Sequence, residues 1–224
     1  MQIDYLISSI PRLLNGLGFT IILTVLALAL GTPLGIIMAF GRSYGGKYIS
    51  FPIYLYEKAL RGIPLLVILF LIYFGSTQVG VNLNAFTSAI LGLGLRSTAY
   101  QAQIFRGSIN SIPSGQMSAA LSIGMSRLKA IRHVILPQIL RLSIPGWSNE
   151  FTIVLKDTSI AFGIGVIELM RQGSRVYSGE YELVLPVLLI VAGIYFVVVF
   201  SSNRFLGYIE KKYKMSGFEV EVER

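Results

Sequence analysis

The sequence predicts an all-α membrane protein with five transmembrane helices, an external N-terminus and a cytoplasmic C-terminus. Its 224 residues are 54% hydrophobic and 13% charged, whereas a soluble domain is about 25% charged. Apolar runs long enough to cross roughly 30 Å of hydrocarbon recur along the chain. Most of the 19 Lys and Arg residues lie near the ends of these runs, so the charges predict the orientation of the spans.

The predicted spans follow one another with connections of moderate length, and they cover residues 19–40, 55–74, 83–105, 135–154 and 183–205. The third span is polar in its second half, which predicts that it faces other helices or a water-filled path. The fourth span is interrupted by Pro137 and Pro145, because proline removes a helical hydrogen bond. The basic residues place three regions in the cytoplasm: 41–61, 106–141 and the tail from 204.

Small residues at helical spacing predict close contacts between helices. Gly31 and Gly35 fit the small-x3-small pattern of packed membrane helices. Gly92 and Gly94 predict close packing or a bend in the third span. We therefore interpret these glycines as packing residues, in preference to a functional hinge at Gly31 and Gly35.

Several function classes are excluded by composition. The chain has no cysteine and one histidine, which excludes disulfides, thiol chemistry and Cys- or His-rich metal sites. The net charge of +8 does not predict nucleic-acid binding, because the basic residues form no continuous patch. Residues 41–48, GRSYGGKY, fit the spacing of a phosphate-binding loop, but Tyr48 stands where Ser or Thr must bind Mg²⁺. We interpret this stretch as a cytoplasmic turn, and we predict no cofactor in this chain.

The segment GQMSAALSIGMSRLKAIRHVILPQ, residues 115–138, is basic and rich in small residues although apolar runs flank it. Ser114 is predicted to cap a first short helix, and Gly124 to break or bend it. Ser126 is predicted to cap a second helix that Pro137 bends or ends. Two interpretations fit these residues: a docking element for another protein, or a basic loop beside anionic lipid.

The spacing of this segment resembles the E-A-A-x3-G-x9-I-x-L-P loop of ABC-importer permeases. Ala119-Ala120, Gly124 and Leu136-Pro137 match it, and Gly115-Gln116 match the start of the amino-acid subfamily's loop. Ser118 replaces the Glu, and Val134 replaces the Ile. Further subfamily-like stretches occur in order along the chain: AFGRSYGG, LRGIPLLVILFLIYFG, TAYQAQIFRG, LKDTSIAFGIGVIEL and YIEKKY.

The chain is therefore similar to polar amino-acid ABC-importer permeases, and the resemblance implies a single transmembrane domain over residues 1–224. It implies that the loop at about 113–137 is a coupling helix that docks on a cytoplasmic ATPase, which binds ATP and Mg²⁺. The docking positions assigned from the motif are Gln116, Ala119, Ala120 and Gly124. The other implied partners are a second permease chain, with a homodimer favoured, and an extracytoplasmic amino-acid-binding protein. The implied location is a bacterial inner membrane, which the chain crosses several times.

Ionisable residues inside the fourth span and its continuation are the candidates for a substrate site. Glu150 and Asp157 are at i and i+7, which places both carboxylates on one helical face. For Asp157 we favour an interhelical ion pair, for example with Arg96 or Arg61, over substrate contact. For Glu150 the two interpretations stand equally. Asn149, beside Glu150, and Thr24, whose hydroxyl would ordinarily bond the carbonyl one turn earlier, complete the candidate set.

A carboxylate facing the path would bind an ammonium or guanidinium group through charge-assisted hydrogen bonds. The predicted substrate is therefore a cationic amino acid such as arginine, lysine or histidine. The alternatives are a neutral polar amino acid such as glutamine, or an ion-coupled secondary transporter. An intramembrane hydrolase that uses His133 is disfavoured, because His133 lies in the predicted cytoplasmic segment.

Overall fold

The computed structural model describes residues 2–214, which form helices and connections without a strand. Ten α-helices occur in that part of the chain: α1 Gln2–Tyr44, α2 Gly46–Gly62, α3 Leu65–Gln78, α4 Ala85–Ser111, α5 Gly115–Ser122, α6 Arg127–Ala130, α7 Leu136–Leu142, α8 Ile144–Asp157, α9 Leu169–Val176 and α10 Val184–Tyr213. A π-helix, Ile131–Ile135, joins α6 to α7, and 3-10 helices cover Thr158–Ile164 and Tyr181–Leu183. Residue 1 and residues 215–224 of the predicted domain lie outside the described residues.

The all-helical class agrees with the sequence prediction. Among the described residues, two helices are long and apolar enough to cross a membrane, Asp4–Tyr44 and Tyr181–Tyr213. A third candidate exists if the bent pair α2–α3 counts as one span. The number of five spans and their orientation therefore stay predictions.

The second predicted span is broken rather than continuous, which corrects the sequence interpretation. Helices α2 and α3 meet at an angle of 104°. Ile63 takes an extended conformation, with φ −89° and ψ 132°, because the ring of Pro64 disfavours helical geometry in the preceding residue. Pro64 then precedes the first turn of α3. The break follows directly after the last turn of α2, which carries Arg61.

Helices α1 and α4 pack closely through the predicted glycines. A Cβ added at Gly31 would lie 2.9 Å from the Gln101 side chain, and one at Gly35 would lie 2.8 Å from Gln101 Cβ. A Cβ at Gly94 would lie 3.2 Å from the Ala27 carbonyl. Increasing residue numbers on α1 thus meet increasing numbers on α4, so the two helices run parallel. The packing interpretation of these glycines is confirmed.

The fourth predicted span is interrupted beside Pro145, as the sequence predicts, but it is not interrupted at Pro137. Helix α7 ends at Leu142 and α8 begins at Ile144. Pro145 lies in the first turn of α8, where a proline removes no helical hydrogen bond. Trp147 of α8 donates a hydrogen bond from Nε1 to Thr32 Oγ1 of α1 at 3.1 Å.

A buried junction joins α1, α9 and α10. Glu168 is fully buried, and its carboxylate caps α9 by accepting hydrogen bonds from the Met170 and Arg171 amides at 2.7 and 2.6 Å. Tyr195 of α10 donates its hydroxyl proton to the same carboxylate at 3.1 Å. Thr20 of α1 accepts from the Leu169 amide at 3.2 Å. The hydrogen bonds at the start of α9 therefore tie all three helices together.

Gly35→Leu should destabilise the protein, because the added side chain meets Gln101 and the Ala102 backbone nitrogen at 2.8 and 3.2 Å. Overpacking of this kind costs about 1–3 kcal/mol. Gly18→Leu is the matched control, since nothing lies within 4 Å of its added Cβ on the same helix. The measurement is the apparent unfolding temperature in detergent. An equal drop for both variants would contradict the α1–α4 contact as the cause.

Candidate functional site: a polar interhelical cluster and the predicted docking segment

Glu150 of α8 meets the polar half of α4. Ser97 Oγ donates to Glu150 Oε1 at 2.6 Å, and Gln101 Nε2 donates to Ser97 Oγ at 3.0 Å. Glu150 is 3% exposed, and Ser97 and Gln101 are 1% and 0% exposed. Within residues 2–214, no Lys or Arg forms an ion pair with Glu150. In that part of the chain, its carboxylate accepts a side-chain hydrogen bond from one neutral donor, the Ser97 hydroxyl.

Asp157 has a different environment from Glu150, although both lie on one face of α8. Arg96 Nη1 lies 2.5 Å from Asp157 Oδ2, and each of these side chains is 22% exposed. Arg96 Nη2 also donates to the Tyr100 hydroxyl at 3.4 Å. The favoured interpretation of Asp157 as a member of an interhelical ion pair is confirmed.

A second guanidinium group reaches the same place from α2. The guanidinium carbons of Arg61 and Arg96 lie 5.1 and 5.0 Å from the centre of the Tyr100 ring. Such distances allow a cation–π attraction for each group. We use "polar cluster" for seven residues of α2, α4 and α8: Arg61, Arg96, Ser97, Tyr100, Gln101, Glu150 and Asp157.

Asn149 and Thr24, the other two predicted substrate residues, are not members of the polar cluster. Asn149 is exposed next to Glu150 on α8. Thr24 is 1% exposed, and its hydroxyl donates to the Thr20 carbonyl at 2.8 Å. That hydroxyl is engaged within its own helix, as expected of a threonine in a span, and the assignment of Thr24 to the substrate site stays a prediction. Sequence reasoning did not single out Ser97 and Gln101 as partners of Glu150, although their polarity within an apolar run was the available signal.

The predicted docking segment forms two helical stretches that meet near a glycine, as the sequence predicts. Helix α5 ends at Ser122, and Gly124 follows with φ +85°, a conformation that favours glycine. Ser126 caps α6 by accepting from the Lys129 amide at 3.4 Å. The predicted cap at Ser114 is wrong. Its side chain makes no capping hydrogen bond, because its backbone is already helical, with φ −57° and ψ −27°.

The second stretch does not end at Pro137, which corrects the sequence interpretation. Leu136 donates its amide to the Ile131 carbonyl, the five-residue spacing of a π-helix. Proline in a regular α-helix clashes with the carbonyl four residues earlier. The wider π turn ahead of Pro137 relieves that clash, so the helical path continues through α7 to Leu142.

The four motif-assigned docking residues divide into two pairs. Ala119 and Gly124 are exposed. Ala120 is 4% exposed, and Gln116 is half-buried with its Oε1 accepting from Gln138 Nε2 at 2.9 Å. Gln116 and Ala120 thus face the rest of the chain and fix α5 against it. Exposed apolar side chains that sequence reasoning missed stand on either side of Gly124: Leu121, Ile123 and Leu128.

Residues 41–48 are the last turn of α1 and the first turn of α2, with Gly45 as the single bend residue between them, so the predicted turn is a sharp junction of two helices rather than a separate loop. Gly46 has φ +69°, and Lys47 is exposed on the first turn of α2. Arg42, at the end of α1, donates from Nη1 to Ser50 Oγ at 3.0 Å. A phosphate-binding loop follows a buried strand, whereas this turn follows a helix.

Comparison with known proteins identifies relatives over most of the chain. Residues 31–215 match the family described as binding-protein-dependent transport system inner membrane component. The glutamine transport system permease protein GlnP of Escherichia coli is 34% identical over 96% of this chain and 100% of its own. The L-cystine transport system permease protein TcyB of Bacillus subtilis is 37% identical over 90% of this chain and 86% of its own.

A solved structure has the same fold. The crystal structure of an amino acid ABC transporter with histidines contains a chain that superposes with a TM-score of 0.83. The two chains are 36% identical, and the match covers 92% of this chain and 96% of that one.

Arg96→Met and Asp157→Leu should each lower the apparent unfolding temperature, because each leaves a partly buried charge without its partner. The double variant should lose less than the sum of the two, with an interaction energy of about 0.5–3 kcal/mol. The control combines Arg96→Met with Glu210→Gln, an exposed residue of α10, and should be additive. Additivity of the Arg96–Asp157 pair would contradict a stabilising ion pair.

Proposed function

This chain belongs to the family of binding-protein-dependent transport system inner membrane components, and from that membership we propose that it forms the translocation path for a cationic amino acid such as arginine, lysine or histidine. The chain is the permease subunit of an amino-acid ABC importer. It is not an enzyme, and a separate ATPase subunit hydrolyses the ATP. This assignment replaces the alternative of an ion-coupled secondary transporter.

The observation that supports a cationic substrate is the contrast between the two carboxylates of α8. Asp157 is already neutralised by Arg96. Glu150 is buried and receives a hydrogen bond from Ser97, but among the described residues no cation pairs with it. Desolvating a carboxylate is unfavourable unless a counter-charge compensates it. A guanidinium or ammonium group of the substrate supplies that charge, with Asn149 exposed beside it.

A neutral amide side chain is the second candidate for the substrate. The neighbours of Glu150 are the Ser97 hydroxyl and the Gln101 amide, which can serve an amide such as that of glutamine. Gln101 Oε1 is buried without a hydrogen-bond partner, so it is an acceptor open to an amide or ammonium proton. One relative is a glutamine permease by name.

The partners belong to the same proposal. Arg96 and Asp157 are each 22% exposed, and charged groups inside a membrane rarely face lipid. A second copy of this chain, giving a homodimer around a shared path, covers them. An extracytoplasmic binding protein delivers the amino acid, and the ATPase binds ATP and Mg²⁺. The setting is a bacterial inner membrane crossed by five spans, with the N-terminus outside.

The ATPase docks on the exposed face of α5 and α6. Ala119 and Gly124 give the close approach, and Ile123 and Leu128, each 75% exposed, are the apolar contacts. Gln116 and Ala120 hold α5 in place from its inner face. The absence of acidic residues from 115–138 suits a partner surface that carries negative charge.

Gly124→Trp should uncouple ATP hydrolysis from transport, because the indole fills the contact face and the left-handed backbone resists a side chain. Gly46→Trp is the matched control, since Gly46 also has positive φ and open surroundings but lies in the α1–α2 turn. The measurement is substrate-stimulated ATPase activity and uptake in proteoliposomes. Normal uptake by the Gly124 variant, or equal loss in the control, would contradict the docking assignment.

Glu150→Gln should weaken arginine binding at the membrane site about 10- to 150-fold, since a charge-assisted hydrogen bond contributes roughly 1.5–3 kcal/mol. Glutamine binding should change far less, because the substituted amide keeps the shape of the site. The test is competition between labelled arginine and glutamine on the purified permease–ATPase complex.

Glu210→Gln, which removes an exposed carboxylate from α10, is the control for that experiment and should alter neither substrate. Equal losses for arginine and glutamine in Glu150→Gln would make Glu150 structural. No loss for either would place selection in the binding protein.

A further inference from the structure

The end of the polar cluster opposite Glu150 carries more positive than negative charge. Two guanidinium groups, of Arg61 and Arg96, lie about 5 Å from the Tyr100 ring centre. One carboxylate, Asp157, is paired with them through Arg96. Arg61 forms no ion pair among the described residues. One cation therefore remains uncompensated at this end.

Both arginines keep donors available. The Arg96 guanidinium contacts Asp157 through Nη1 and Tyr100 through Nη2, while its Nε is buried without a partner. Arg61 is exposed on the last turn of α2, where the chain breaks away into α3. A guanidinium group has five N–H donors in a planar fork that matches a carboxylate.

We propose that Arg61, together with Arg96, binds the α-carboxylate of the transported amino acid. This inference rests on the proposed function, in which an amino acid enters this cluster. The backbone positions of Glu150 and Asp157 are two helical turns apart, a rise of about 10 Å along the α8 axis, which is comparable with the length of an extended arginine. A substrate with its carboxylate at Arg61 then directs its side chain along α8 toward Glu150, so the cluster has a positive and a negative end for a dipolar ligand.

A purely structural role for Arg61 would consist of stacking on Tyr100, and its position argues against that role alone. Arg61 lies in the last turn of α2 and is exposed. Stacking on Tyr100 uses the face of its guanidinium group, so the N–H donors at the edge remain unused. Arg61 lies at the end of α2 directly before the break, and a cation at the edge of a membrane segment is expected to face water or a partner rather than lipid. A bound carboxylate would neutralise the charge of Arg61 and accept hydrogen bonds from its N–H donors.

The experiment uses the purified permease–ATPase complex in nanodiscs without the binding protein, so that only the membrane site is measured. The probes are arginine and agmatine, which differ only in the α-carboxylate. The variants are Arg61→Gln, Arg61→Lys and the control Lys58→Gln, an exposed cation one turn earlier on α2. Binding is measured by equilibrium competition.

Arg61→Gln should weaken arginine binding about 10- to 150-fold, the effect of one charge-assisted hydrogen bond, and should leave agmatine nearly unchanged. Arg61→Lys should recover part of the loss, because the charge stays while the planar fork is gone. Lys58→Gln should change neither probe. Equal weakening of arginine and agmatine, or no weakening of either, would overturn the proposal.

A second probe pair, glutamine and 4-aminobutanamide, separates this inference from the cationic substrate. These two molecules share a neutral side chain and again differ only in the α-carboxylate. If arginine does not bind but Arg61→Gln selectively weakens glutamine, the cationic proposal fails while the carboxylate site stands. If the wild type binds neither amino acid at this site, both proposals fail.

Discussion

The close contact of α1 with α4 at Gly31 and Gly35 is the constraint on which the polar cluster depends. A side chain at either glycine would occupy the place of Gln101, so the missing Cβ atoms allow Gln101 to be fully buried between the helices. Gln101 then donates to Ser97, which donates to Glu150. The close packing of α1 on α4 through small residues thus positions Gln101 and Ser97, and through them the Glu150 carboxylate of α8.

The two carboxylates of α8 lie on one helical face but have different partners: Asp157 is ion-paired, and Glu150 accepts a hydrogen bond from a neutral hydroxyl. They are two turns apart on α8, so helical periodicity places both side chains on the same side of the helix. Their hydrogen-bond partners on α4 differ: Arg96 donates to Asp157, and the neutral Ser97 donates to Glu150. Because Arg96 and Ser97 are adjacent on α4, Asp157 has a charged partner there, and Glu150 has a neutral one.

The sequence was informative wherever a local rule decides the outcome. Pro145 marked the interruption of the fourth span, and glycine spacing marked the α1–α4 contact. The partly buried charge of Asp157 required a partner, which Arg96 supplies. Contacts between distant segments were not accessible in this way. The choice of Ser97 as the partner of Glu150, and the Gln116–Gln138 bond that turns Gln116 inward, depend on how helices are placed in space. The α2–α3 break was missed although Pro64 signalled it, because the predicted span was extended backward across Pro64 to Leu55.

That break has a mechanical consequence. A continuous helix behaves as a stiff rod, because each turn is hydrogen-bonded to the next. At Ile63 and Pro64 this ladder stops, and the axis turns by 104°. A displacement of α2 would therefore rotate α2 about the break at Ile63 and Pro64 rather than translate it along the α3 axis. Arg61 lies on the last turn of α2 before the break, so a movement of α2 would shift its guanidinium group while α3 keeps its contact with Gly92 through Leu69.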